Sequence, residues 1–199
     1  MFMVNGCVAV FEEAKPLNPG DLLITTSGGA YHILGKSDTS YYYNNLTIPA
    51  FLNLPTFRYG IECGQEISIE TMLYGLSVGY KRQIFNRRNF YASVKTSIGA
   101  GEFIENYSLP IINIKLLNGY CYPKYGIYWG IGGIYSKETY AKNIIGYSFL
   151  GISQHISGKR NGPKFEIGYF YNYKDKGDNI VARSNIYAGV SYSFEKVFK

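Results

Sequence analysis

The chain has 199 residues, the size of one ordinary domain or one small barrel. It carries 21 tyrosines and 23 glycines against three methionines and one tryptophan, and it lacks long Ala/Leu/Glu/Lys runs, which argues against an all-α fold. No window approaches the roughly 20 continuous apolar residues of a spanning helix, and the net charge of +6 is scattered, its densest group being Arg82, Arg87 and Arg88 at an expected turn, so nucleic-acid binding is not expected.

Residues 1–19 read as a leader-like or irregular segment and residues 20–199 as the folded domain. Val8–Phe11 is a short apolar run without the basic flank of a secretory signal, and Val4-Asn-Gly-Cys7 only faintly matches a lipoprotein cleavage box. Asp21–Ile33 is apolar and β-branched, then Gly-rich, and reads as a strand. In 45–62, Leu46, Ile48, Ala50, Leu52 and Leu54 alternate, and after Pro55 the apolar set changes parity to Phe57, Tyr59 and Ile61. A one-residue phase change implies a bulge or a turn, because side chains otherwise swap faces.

Further alternating stretches run through Met72–Tyr80, Phe90–Ile98, Ile112–Leu116, Tyr125–Ile131, Ile144–Ile156 and Phe165–Tyr171. Turns are expected at 63–66, 86–89, 122–124 and 157–162, and loops at 36–44, 101–108 (84–108 with eight strands), 137–143 and 174–182. Ser184–Phe194 alternates most strictly. Ile186, Ala188, Val190, Tyr192 and Phe194 form an apolar face, while Asn185, Tyr187, Gly189, Ser191 and Ser193 form a small and polar one.

These stretches make nine clear strands, whereas a barrel with both termini in the periplasm needs an even number. A turn at Pro55 gives ten; absorbing 89–100 into an outer loop gives eight. With eight, Cys63 and Cys121 lie in successive periplasmic turns. With ten they lie at opposite ends, beyond the roughly 7 Å Cα separation that a disulfide spans. The cysteines (Cys7, Cys63, Cys121) have no metal-ligand spacing, and no metal or cofactor is expected.

Gly20-Asp-Leu-Leu-Ile, Thr47-Ile-Pro, Tyr59-Gly-Ile, Gly75-Leu-Ser-Val-Gly-Tyr80, Tyr125-Gly-Ile-Tyr-Trp-Gly-Ile-Gly-Gly, Phe165-Glu-Ile-Gly-Tyr169 and Asn185–Phe194 together resemble the small porin-like outer-membrane β-barrel proteins of Bacteroidetes-type bacteria. The resemblance spans about residues 20–194. It implies a closed antiparallel up-and-down transmembrane β-barrel, favours eight strands over ten, and places the chain in the bacterial outer membrane. Its partners would be outer-membrane lipids and, through the C-terminal strand, the barrel-assembly machinery. The tail Glu195–Lys199 departs from such families, whose assembly signal ends at the aromatic residue.

Two constellations carry the chemistry. His155, Ser157 and Glu166 resemble the His-x-Ser plus carboxylate arrangement of outer-membrane lipid A deacylases, with His activating Ser and the carboxylate orienting His. Counting strands back from a periplasmic C-terminus puts the 157–162 turn in the periplasm, away from outer-leaflet lipid A. Arg58, Glu62, Lys95, Lys115, Lys164, Glu166 and Arg183 are expected to face inward as a lumen network of paired charges, because a narrow barrel is filled by side chains. Glycines within the strands read as room for large aromatic neighbours. The expected role is structural, adhesive or surface-exposed without catalysis; the alternatives are a lipid A or phospholipid acyl hydrolase and a narrow ion or solute pore.

Overall fold

The computed structural model describes residues 11–34, 47–72, 75–103, 106–138, 141–175 and 180–197. Ten strands follow one another: β1 (Asp21–Leu34), β2 (Thr47–Glu62), β3 (Gln65–Met72), β4 (Gly75–Arg87), β5 (Phe90–Phe103), β6 (Asn106–Cys121), β7 (Tyr125–Glu138), β8 (Ala141–Gln154), β9 (Gly162–Asp175) and β10 (Ile180–Val197). Each pairs antiparallel with its sequence neighbours. The sheet closes where β1 meets β10, from Asp21 opposite Val197 to Leu34 opposite Ser184. This is an up-and-down barrel without free edges.

The alternation of the sequence becomes an inside and an outside. On β10, Asn185, Tyr187, Ser191 and Ser193 are buried, while Ile186, Val190, Tyr192 and Phe194 are exposed. The same division holds on β4, where Ser77 and Lys81 face in and Leu76, Val78 and Tyr80 face out.

The count of eight does not hold, and the tenth strand is not where Pro55 suggested. β2 runs unbroken through Pro55, and the parity change is a bulge: Thr25 pairs Thr56 and Ser27 pairs Asn53, so β2 has one extra residue there. A bulge tolerates the missing N–H of proline. The added strand is β3, whose Ile67 and Ile69 point out and Glu66 and Ser68 point in. Strand pairing also runs through much of the expected loops, since β5 extends to Phe103 and β6 starts at Asn106. The rest of those loops, and 36–44, lies outside the described residues.

The connections around 63–64, 88–89, 122–124 and 155–161 lie at the same end as Asp21 and Val197, as the up-and-down order requires. Cys63 and Cys121 therefore share an end, contrary to the ten-strand expectation, and both are free thiols.

Residues 11–20 form neither helix nor strand. They enter this end of the barrel, and Phe11, Glu12, Glu13, Ala14 and Leu17 are buried inside. Gly20 N–H donates to Gly60 O at 2.9 Å, and a Cβ at Gly60 would lie 2.0 Å from Asn18 O. Only glycine lets the segment pass there.

Candidate functional site: the charged bore and its N-terminal segment

The bore has two walls. On the β6–β10 side, Leu117, Tyr128, Ile145, Tyr147, Phe149, Phe170 and Tyr187 form a buried cluster that Ala14 touches. Glycines on adjacent strands make it fit. A Cβ at Gly151 would meet the Tyr128 ring at 2.2 Å, and one at Gly168 would meet the Tyr187 ring at 2.3 Å. The expected pairing of strand glycines with large aromatics is thus met. Two of the three tyrosine tips are anchored: Tyr147 donates to Asn113 Oδ1 and Tyr187 to Glu166 Oε1, each at 2.7 Å.

The other wall is ionic, and Glu12 sits at its centre. Its carboxylate lies 2.9 Å from Lys95 Nζ, 3.2 Å from Lys81, 3.4 Å from Lys115 and 4.0 Å from Arg58. Glu66 pairs with Lys81 at 3.0 Å, and Glu70 pairs with Lys95 and with Lys115. Glu13 faces the other side, 3.5 Å from Lys164 Nζ, 3.8 Å from Arg160 Nε and 3.2 Å from His155 Nε2. Burial alone would raise both carboxyls. The lysines and Arg58 around Glu12, and Lys164, His155 and Arg160 around Glu13, outweigh it and hold both well below the usual carboxylate range.

Backbone bonds complete the docking. Phe11 N–H donates to Glu166 at 2.7 Å and Leu17 N–H to Glu66 at 3.0 Å. Arg160 donates to Lys15 O and Pro16 O, each at 2.7 Å, and Ser93 Oγ donates to Ala14 O at 2.5 Å. An irregular segment has no ladder of its own, so its buried amides need such partners.

Of the seven residues expected in the lumen, Arg58, Lys95, Lys115, Lys164 and Glu166 are there and buried. Glu62 is not. The register shifts between Gly60 and Glu62, and Glu62 turns outward at the β2–β3 connection to accept from Gln65 Nε2 at 2.8 Å. Arg183 lies on β10 opposite Asn172, and its side chain is outside the described residues. The sequence reading missed Lys81, Glu66 and Glu70, which alternate with apolar residues on β3 and β4, and missed Glu12 and Glu13 in the leader-like stretch.

His155, Ser157 and Glu166 do not form a catalytic triad. His155 Nδ1 faces Tyr122 O at 2.8 Å, and Nε2 faces Glu13 at 3.2 Å and Ser153 Oγ at 3.3 Å. The carboxylate on His155 is Glu13, and it shares Nε2 with the serine instead of taking the opposite nitrogen. Ser157 is exposed at φ 56°, followed by Gly158 at φ 73°, inside the Ile156–Lys159 bridge. Two left-handed residues in a row make a tight hairpin tip. Ser157 Oγ has no hydrogen bond to His155. Asn161, a conceivable oxyanion donor, instead accepts from Glu195 N–H.

No family model and no curated protein matches the chain. Among solved structures it is similar to Neisserial surface protein A, with 14% identity and a TM-score of 0.30 over 88% of this chain and 97% of that one. So loose a superposition fixes neither strand count nor role; both are read from this chain's own faces.

Proposed function

We propose that this chain is an integral outer-membrane β-barrel with a structural, adhesive or surface-exposed role, its bore occupied by its own N-terminal segment. One observation carries the reading: among the described residues the outer wall is apolar from β2 to β10. Phe57, Ile69 and Val78 lie on one side of the barrel, Ile98, Ile114 and Ile131 further round, and Leu150, Ile167, Val190 and Phe194 beyond them, all exposed. Monomers in water rarely expose contiguous apolar patches above a few hundred Å², and a lipid-facing barrel does so by design.

Aromatic residues gather outside the terminal end. Phe90 lies 5.2 Å from Tyr120 and 6.1 Å from Trp129, Tyr122 lies 4.8 Å from Tyr125, and Tyr192 lies 4.7 Å from Phe194. Such belts sit at membrane–water interfaces. They support a membrane boundary at this end, which the resemblance to small porin-like barrels of Bacteroidetes-type bacteria assigns to the periplasm. The outer-membrane lipids and the assembly machinery reading the last strand are the partners this proposal implies.

Membrane extraction followed by heat-modifiability tests the reading. The expected result is a protein that needs detergent and migrates faster unheated than boiled. A monomer that stays soluble without detergent overturns it. The acyl-hydrolase alternative has no activated serine at Ser157 to support it. Lipid A from expressing cells is expected to keep its acyl count, identical for the native chain and Ser157→Ala, by mass spectrometry.

A further inference from the structure

We propose that Glu13, Cys121 and His155 form a binding site for a borderline divalent transition metal, with Zn²⁺ the best fit, that ties the N-terminal segment to the barrel wall. Three separate elements supply the donors: the segment before β1, the last residue of β6, and the residue after β8. Their donor atoms all lie within 4.8 Å of one another. This explains why no sequence spacing announces the site.

The geometry fits an ion. His155 Nε2 lies 3.2 Å from both Glu13 oxygens, and Cys121 Sγ lies 4.0 Å from Oε2. Two N or O donors at about 2.0–2.2 Å from a tetrahedral centre sit roughly 3.3 Å apart, and a thiolate and an oxygen about 3.6 Å apart. The Glu13–His155 pair already matches, the Cys121–Glu13 pair closes with a shift of a few tenths of an ångström, and the Cys121–His155 pair closes from within 4.8 Å. The histidine is also oriented for ligation. Tyr122 O accepts at 2.8 Å, so Nδ1 carries the proton there. Nε2 is then the nitrogen that faces the two carboxylate oxygens at 3.2 Å, where a metal ion can take the place of a shared proton. A carbonyl holding the far nitrogen is the usual outer-shell support of a metal-bound histidine.

Space and access are present. Gly126 lies under the cluster: a Cβ there would be 2.6 Å from Ser153 Oγ, 3.3 Å from Glu13 Oε2 and 3.4 Å from His155 Nε2. A polar cavity of about 280 Å³, lined in part by Asn18, Asp21, Cys121 and His155, leads to the site and leaves room for water as a fourth ligand. Lys164 and Arg160 also contact Glu13 and compete with the ion, so the metal exchanges with solution. On binding, the Cys121 thiol gives its proton to solvent, and the S–H bond is replaced by a metal–sulfur bond.

Cobalt titration of the full chain in detergent micelles tests this, in a Cys7→Ser/Cys63→Ser background that leaves Cys121 as the one thiol. The expected result is a near-ultraviolet thiolate-to-Co²⁺ band saturating at one equivalent and abolished by excess Zn²⁺. Cys121→Ser should remove the band. Glu13→Gln and His155→Gln should each weaken binding about 10- to 100-fold. Unheated gel mobility identifies folded variants, and Glu13→Asp, expected to bind more tightly than Glu13→Gln, replaces any that is not. No band, or a band indifferent to positions 13 and 155, overturns the proposal.

Discussion

At the scale of single residues, Glu12 is the position on which the ionic wall turns. Four cations converge on it, and if it is neutralised the ion-pair partners left to the three lysines among the described residues are Glu66 and Glu70. Breaking a buried pair by removing one partner leaves uncompensated charge and costs about 3–5 kcal/mol. Glu12→Gln is therefore expected to lower the unfolding free energy measured by urea titration by that order. Glu62→Gln, at an exposed turn position, should leave it unchanged. Gly60 makes a steric counterpart: a methyl there collides with the Asn18 carbonyl, a backbone atom that cannot rotate away. Gly60→Ala should cost about 1–3 kcal/mol in the same assay and expose the segment to protease.

At the scale of elements, the segment 11–20 behaves as an eleventh piece of the barrel held mainly by charge. Its docking has a defined pH dependence. Both carboxyls sit well below their ordinary value near 4.5 in the folded chain. A depressed carboxyl pKa contributes stability that is fully present above the unfolded value and is lost as pH falls through the folded one. Hydrogen exchange at the Phe11 and Leu17 amides, corrected for intrinsic rate, should thus be constant from pH 7 to 5. It should accelerate only below about pH 4.5; acceleration already at pH 6 would contradict carboxylate control of the docking.

The strands themselves were largely legible in the sequence, because the period of two on β10, β7 and β9 is the physical cause of their two faces. β3 was hidden because it is only eight residues long and follows the Cys63–Gly64 turn directly. The docked segment was hidden for another reason. Its burial depends on cations from β2, β4, β5, β6 and β9, none of which is near it in sequence, and two adjacent glutamates after an apolar run look like solvated charge. His155 was read beside Ser157 and Glu166, but its carboxylate partner, Glu13, lies 142 residues away, a distance that no local pattern bridges.

At the scale of the whole molecule, the barrel is inverted relative to a water-soluble domain: ion pairs and tyrosines fill the bore, and isoleucine, valine and phenylalanine cover the outside. Trp129 offers a direct probe of that inversion. It is the one tryptophan of the chain, it lies on β7 beside the outward Ile127 and Ile131, and it packs against Phe90 and Tyr120. In liposomes of acyl-chain-brominated phosphatidylcholine, its fluorescence should be blue-shifted and strongly quenched relative to unbrominated liposomes, while a water-soluble quencher has little effect. Emission untouched by brominated lipid and readily quenched from the aqueous phase would contradict the lipid-facing barrel.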